Sequence, residues 1–361
     1  ARGKEQLTKA ARPADALQVR TITGMVRWAT DTHLNSKALE VAMSKPDDWL
    51  YRPEVFGYAH ESRHGMAVIE GVNEKTLRRI VDLFGPRGLQ VTYGVLQHIE
   101  DAVMRKHGQL VPWDELAPGY RIVAVDLLRA LNVRPVGNGY KMEQQAKVRQ
   151  ILKAVAAVQF MDIQPTHKRR QNLTVGPLLN VLHSELETTL PFDQDEVPPK
   201  NELLSIFVQP GKVAWDLRRK GIPWCHHSML TYDPEKRKPE ILLTCYLGQM
   251  AVNSRNNRKH EGFYRLETLL KQSGIEDRKA SRGLKRLELA LQNMAAKGAI
   301  PAERDPKTGD YKPIYRQPKA DMTDANQTTA RLACLVKVWD TKGYENGYQP
   351  LPGTSNTPLP E

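Results

Sequence analysis

The chain has 361 residues, with 53 Lys and Arg against 41 Asp and Glu, a formal charge of +12 and a pI of about 9.5. This length exceeds one ordinary domain, so two are expected, and the basic balance favours polyanionic partners: DNA, RNA or an acidic membrane surface. The totals argue against three other classes: 7% aromatics are few for stacking platforms on single strands, three cysteines make no disulfide framework and fit a reducing cytoplasm, and no run of about 18 apolar residues offers a membrane span.

Residues 1–20 are polar and basic and lack the apolar centre of a signal peptide, so a basic N-terminal arm is expected. "NEKTLRRIVDLFG" reads as a helix closed by Gly85-Pro86. "TYGVLQHIEDAVMRKHG" sets Val95, Ile99, Ala102 and Val103 at helical spacing and stops at Gly108. "RIVAVDLLRALNV" predicts a short second helix, and "GNGYK" a turn. "KMEQQAKVRQILKAVAAVQFMDI" predicts a third helix, with Val148, Ile151, Leu152, Val155 and Val158 as its buried stripe, running into a strand. The basic turn "THKRRQN" follows, then "LTVGPLLNVL" as a returning strand. "ETTLPFDQDEVPPKNE", about 187–202, is acidic and proline-bearing and reads as an insertion. "LLSIFVQPGKVAWDL" has strand composition on both sides of a Pro-Gly turn.

The plan then repeats. "PEILLTCYLGQMAVNSRNN" predicts a helix carrying Leu242, Leu243, Tyr246, Leu247 and Met250. "RLETLLKQSGI" is a short second helix, and "SRGLKRLELALQNMAAKG" a third, with Leu284, Leu287, Leu291 and Met294 as its stripe and Gly298 as its stop. "DPKTGD" is a hairpin turn between two short extended runs. The expected class is mainly α with small β-hairpins and sheets (α+β): a basic arm over 1–20, an N-terminal domain over 21–220, a C-terminal domain over 221–320 and a polar tail over 321–361. Helix, short helix, turn, longer helix and hairpin, twice over, is the element order of tandem winged-helix domains.

In a helix-turn-helix the third helix enters the major groove, where Arg and Lys suit guanine and Asn and Gln suit adenine. The first third helix is expected to expose Gln144, Gln145, Lys147 and Arg149 opposite its apolar stripe. The second offers Arg278, Lys279, Ser281, Arg282, Lys285 and Arg286. Cations crowded at a helix N-terminus oppose the helix dipole, a cost that a bound phosphate backbone would reverse. Lys168, Arg169 and Arg170 fall where the tip of the first hairpin is expected, and Arg255, Arg258 and Lys259 join two helices of the second unit; both groups suit phosphate contacts.

Catalytic chemistry finds no foothold. "WCHHSM" puts Cys225, His226 and His227 side by side, but no second ligand pair stands at zinc-like spacing, so no metal is expected. The adjacent histidines lack the spacer residue of rolling-circle nicking enzymes. There is no G-x-x-x-x-G-K-[ST] phosphate loop and no set-apart pair of carboxylates. No catalytic residue and no cofactor is expected.

The tandem arrangement, carried by "RIVAVDLLRALNV" before "KMEQQAKVRQILKAV" and by "RLETLLKQSGI" before "SRGLKRLELALQNMAAKGAI", resembles the iteron-binding plasmid replication initiators, the TrfA-like and RepE-like group. The likeness covers residues 91–180 and 240–315, about half the chain. It implies a sequence-specific binder of repeated duplex origin sites, exchange between homodimer and monomer, and recruitment of a host replication initiator and replicative helicase in the cytoplasm, away from any membrane. The region before the first unit and the acidic insertion depart from the group. A winged-helix transcriptional regulator is the alternative, and a nucleic-acid-processing enzyme a third reading.

Overall fold

The computed structural model describes residues 19–20, 25–27, 32–62, 65–107, 120–131, 133–137, 139–161, 176–184, 205–211, 224–256, 262–316 and 327–338. It is a mixed α+β protein with small antiparallel sheets. In chain order come β1 (Val19–Arg20), β2 (Met25–Arg27), α1 (Thr32–Met43), β3 (Leu50–Arg52), β4 (Gly57–Ser62), β5 (Gly65–Glu70), α2 (Glu74–His107), β6 (Tyr120–Val123), α3 (Ala124–Ala130), α4 (Met142–Ala157), β7 (Gln159–Met161), β8 (Gly176–Pro177), β9 (Leu179–Ser184) and β10 (Ser205–Pro210). Then follow β11 (Trp224–His226), α5 (Ser228–Thr231), α6 (Lys238–Asn256), β12 (Phe263–Arg265), α7 (Leu266–Gln272), α8 (Ala280–Lys297), β13 (Ala302–Arg304), β14 (Tyr311–Pro313), β15 (Tyr315–Arg316), α9 (Gln327–Ala333) and β16 (Leu335–Lys337).

Two stretches share one scheme. Each runs long helix, short strand, seven-residue helix, long helix and hairpin: α2, β6, α3, α4 and β7–β8 in the first, and α6, β12, α7, α8 and β13–β14 in the second. The sheets agree as well. The strand before the short helix pairs with a late strand, which pairs with the strand just after the hairpin: β6-β10-β9 in one, β12-β16-β15 in the other. In both, a proline and one further residue (Pro177 and Leu178; Pro313 and Ile314) lie at the step from hairpin to sheet. The carbonyls of Leu178 and Ile314 accept the amide N–H of Gly211 (2.8 Å) and Lys337 (2.9 Å) respectively. An outer strand extends each hairpin, β5 on β7 and β1 on β13.

Several sequence expectations change. "RIV" of the first short helix is strand β6, because Ile122 pairs opposite Ile206 of β10. Gly85-Pro86 does not end a helix and open a loop. Gly85 (φ −1°, ψ −162°) breaks α2, and the helix resumes at once, since Pro86 has no N–H to lose at a helical start. Gly211 marks a close approach of backbones: a Cβ there would lie 1.8 Å from the carbonyl oxygen of Pro177. Residues 50–70, for which no strand was expected, hold the three strands that extend the first hairpin's sheet. The tail expected from 321 contains α9 and β16, and β16 completes the second sheet between β12 and β15. Val19–Arg20, expected within an arm, pairs with β13, and β2 pairs with β11, so N-terminal strands sit with the C-terminal half.

One apolar core runs through both halves, from Leu77, Ile80 and Phe84 of α2 and Ile151, Leu152 and Val155 of α4 to Leu242, Leu243, Leu287 and Leu291. α1 packs against both α2 and α6. Buried Gln90 of α2 donates both amide hydrogens across the junction, to the carbonyls of Met229 and Tyr232 at 2.7 Å each. At such depth an unmade hydrogen bond is costly, so these two fix how the halves meet.

Lys37 of α1 is wholly buried against β4. Its ammonium donates to Nδ1 of His60 (2.8 Å) and Oγ of Ser62 (3.2 Å), and lies 3.8 Å from the Glu40 carboxylate, which accepts the Ser62 hydroxyl at 2.5 Å. Burial pulls its pKa from 10.5 down to about 8 despite the attraction of Glu40 and Glu61. Burial, then the Lys37 charge, also lowers His60, which keeps its ring neutral and able to accept. Between pH 8 and 10.5 the unfolded chain binds the proton that the folded chain has lost. Stability owed to Lys37 therefore rises with pH over that window, and the full penalty stands below it. In urea titrations, the unfolding free energy of the wild type relative to Lys37→Met is expected to climb as pH rises from 8; a flat or falling difference contradicts it.

Candidate nucleic-acid interface

α8 is rich in Ala, Leu, Lys, Arg and Glu, all good helix formers. It stops at Gly298, whose φ of 78° suits only glycine well; the N–H of Ala299 closes back on the Met294 carbonyl at 2.8 Å, as in a Schellman cap. Leu284, Leu287, Leu291 and Met294 are buried, together with Gly283, Ala290 and Ala295. This stripe fixes the helix's rotation. Near its C-terminal half, the buried Glu240 carboxylate of α6 accepts from Asn293 (2.8 Å) and Arg237 (3.1 Å).

The opposite face points to solvent. Arg278, Lys279, Ser281, Arg282, Lys285 and Arg286 are all exposed, so five cations crowd nine positions. Asp277, largely buried, lies 3.9 Å from Arg282 and 3.7 Å from Arg286, whose side chains remain 69% and 53% exposed. It steadies both guanidinium groups without covering them. Arg278, Lys279 and Lys285 make no ion pair among the described residues. The start of α8 has neither a side-chain cap nor an acidic residue in its first turn, so this charge is uncompensated by the usual devices.

The hairpin stands beside this face. Gln292 of α8 donates to the carbonyl of Tyr311 in β14 at 2.8 Å. The turn "DPKTGD" forms as expected. Gly309 takes φ 76°, the Asp305 carboxylate accepts the Lys307 N–H at 2.8 Å, and Lys312 ion-pairs with it. Lys312, then the Lys307 and Thr308 amides, hold the Asp305 carboxyl below its usual range. Arg304, Lys307 and Lys312 are exposed on the hairpin. These three are not among the residues expected to meet DNA, although the turn signal that places the hairpin also places them.

α4 turns a different face outward. Its stripe is buried as expected, but Gln145 and Arg149, expected on the surface, are only 4% and 7% exposed. The reason is a wider contact: α4 packs against α2, α3 and β9, and this contact takes in positions flanking the stripe. The Gln145 amide reaches the Tyr140 carbonyl at 3.4 Å. Gln144 is half-buried, its amide donating to the Arg134 carbonyl at 3.2 Å while its carbonyl accepts the Lys141 N–H at 2.9 Å. Lys147 is exposed but lies 3.8 Å from Glu235, which also meets Arg87 at 3.7 Å. Lys168, Arg169, Arg170, Arg258 and Lys259 lie outside the described residues, as does the acidic insertion; Arg255 is placed near the end of α6 by its backbone alone. His226 of "WCHHSM" is buried, with Nδ1 2.7 Å from the Ser228 hydroxyl.

The two long helices thus differ sharply: α8 presents a dense cationic face beside a basic hairpin, and α4 a sparse one. Among the described residues no helix is long and apolar enough to cross a membrane. Compared with family profiles, with curated proteins and with solved structures, the chain finds no match.

Burial separates two kinds of substitution. Arg149→Ala is expected to lower stability by about 1–3 kcal/mol in urea titrations, the range for truncating a buried polar group. Arg282→Ala and Lys285→Ala are expected to stay within about 0.5 kcal/mol of wild type.

Proposed function

We propose that this chain is a sequence-specific duplex-DNA-binding protein built from tandem winged-helix domains, and that it initiates replication of a plasmid-like element by binding repeated origin sites. The observation that carries the reading is the outward face of α8, where Arg282, Lys285 and Arg286 stand away from the buried stripe, with exposed Arg278 and Lys279 at the helix entry and the β13–β14 hairpin packed on α8. A helix fits the major groove, and its first turns meet base edges while flanking cations take phosphates. The hairpin's Arg304, Lys307 and Lys312 suit the neighbouring backbone. The doubled element scheme supports two contacts per chain, α8 as the main reader and α4 with Lys147 as the lesser.

In this reading the protein works by binding, in the cytoplasm, as monomer or homodimer, and hands the origin to a host initiator and replicative helicase. These last roles follow from the likeness to iteron-binding initiators and not from the geometry. Selection from a random duplex pool is expected to enrich a defined sequence whose genomic copies are direct repeats; inverted repeats in a promoter would instead mark a transcriptional regulator. On the enriched duplex, log K is expected to fall linearly with log salt, by about 0.9 per phosphate contact. Lys285→Ala, as a phosphate contact, should weaken all sequences alike and reduce the slope by about one. Binding indifferent to salt, with wild-type slope in the variant, would overturn the reading.

A further inference from the structure

Leu289 stands apart from the other leucines of α8. Leu284, Leu287 and Leu291 are buried, whereas Leu289 is 58% exposed. A single exposed leucine is ordinary on any surface. Its position is not. At about 100° per residue, Leu289 falls roughly opposite the centre of the buried stripe. It shares a line with Arg282, seven residues earlier, and Lys285 and Arg286 flank it one turn away. Helix propensity alone accounts for a leucine anywhere on the helix; the place of Leu289 at the angular centre of the cationic face is what a groove contact would use.

The side chains past Leu289 turn to other partners. One turn on, Gln292 and Asn293 have the residue types for reading adenine, but both amides are committed inward, to Tyr311 and Glu240. Glu288, on the flank, is held by Arg331 at 2.6 Å. The outward set of charged and large side chains therefore runs from the start of the helix to Leu289, and only Ala296 and Lys297 are exposed beyond it on the last turn. From Arg282 to Leu289 it spans about 10.5 Å along the axis, close to the roughly 12 Å width of the major groove. The apolar group that base edges present in that groove is the C5 methyl of thymine.

We infer that Leu289 packs against a thymine methyl in the major groove, so that the bound site carries an A·T pair read by apolar contact, flanked by base pairs that Arg282 and Arg286 contact, with Lys285 on the adjoining phosphate. This rests on the proposed duplex-DNA binding and names a specificity residue within it. No covalent step is involved.

The probe is the duplex that the full chain enriches from a random-sequence pool. Each thymine in turn is replaced by deoxyuridine, which lacks only the methyl group. In the wild type, one replacement is expected to weaken binding about fourfold, the worth of one buried methyl-sized group. In Leu289→Ala, whose exposed site leaves folding intact, the same replacement is expected to have no effect, while the others behave as in wild type. The coupling between protein and base changes thus identifies the contact. If every deoxyuridine effect is the same in both proteins, or if Leu289→Ala alters self-association but leaves the thymine effects unchanged, the inference is overturned though DNA binding stands. A wild-type chain that enriches no duplex at all overturns the proposed function and this inference with it.

Discussion

The seating of the α8 stripe on the core is the constraint from which the surface follows. Four large side chains, Leu284, Leu287, Leu291 and Met294, are buried, each worth about 1.5–3 kcal/mol over its exposed state. Against this, each cation near the helix start costs about 0.3–1 kcal/mol through the dipole. The packing term is larger, so the helix keeps its rotation and the cations stay outward. Asn293 and Gln292 lock the same rotation from its edges, one to α6 and one to the hairpin. A helix so held presents a rigid face, and the hairpin moves with it.

The two halves use one scheme to different ends. Both route the strand before the short helix to a late strand and then to the strand after the hairpin. Yet α4 buries Gln145 and Arg149 where α8 exposes Arg282 and Arg286. The outward Lys147 of α4 faces Glu235, near the start of the second half, so part of its charge is spent at the junction between halves. The same junction holds Gln90 and its two backbone acceptors. The first half is thus built more around contact with the second, and the second around an open face.

Much of this was legible in the sequence where one periodicity dominated. The stripes of α4 and α8, the stop at Gly298 and the 305–310 hairpin follow from apolar spacing and from glycine placement. The strands β3 to β5 were less legible, because "WLYRPEVFGYAHESRHGMAVIE" holds three short runs broken by Pro53, Gly57 and charged residues; β3, β4 and β5 pair with their neighbours, and only β5 reaches β7, some ninety residues on, a pairing that leaves no local mark. β16 was hidden because "LVK" becomes a strand by pairing between β12, some seventy residues earlier, and β15. Gln145 and Arg149 misled because polarity alone assigned them to the surface, while α2 and β9 widened the buried side of α4. Leu289 was available: in "LELAL" only Leu287 and Leu291 fit the stripe, and the leucine between them falls opposite.

The central claim is that the outward face of α8 lies in a major groove. Dimethyl sulfate tests it directly, since it methylates guanine N7 in the major groove and adenine N3 in the minor groove. On the enriched duplex, the wild type is expected to protect a short cluster of guanine N7 atoms, and Arg282→Ala to lose protection at part of that cluster while leaving adenine N3 reactivity unchanged. Protection confined to adenine N3, or a guanine pattern identical in wild type and in the Arg282, Lys285 and Arg286 alanine variants, would contradict it.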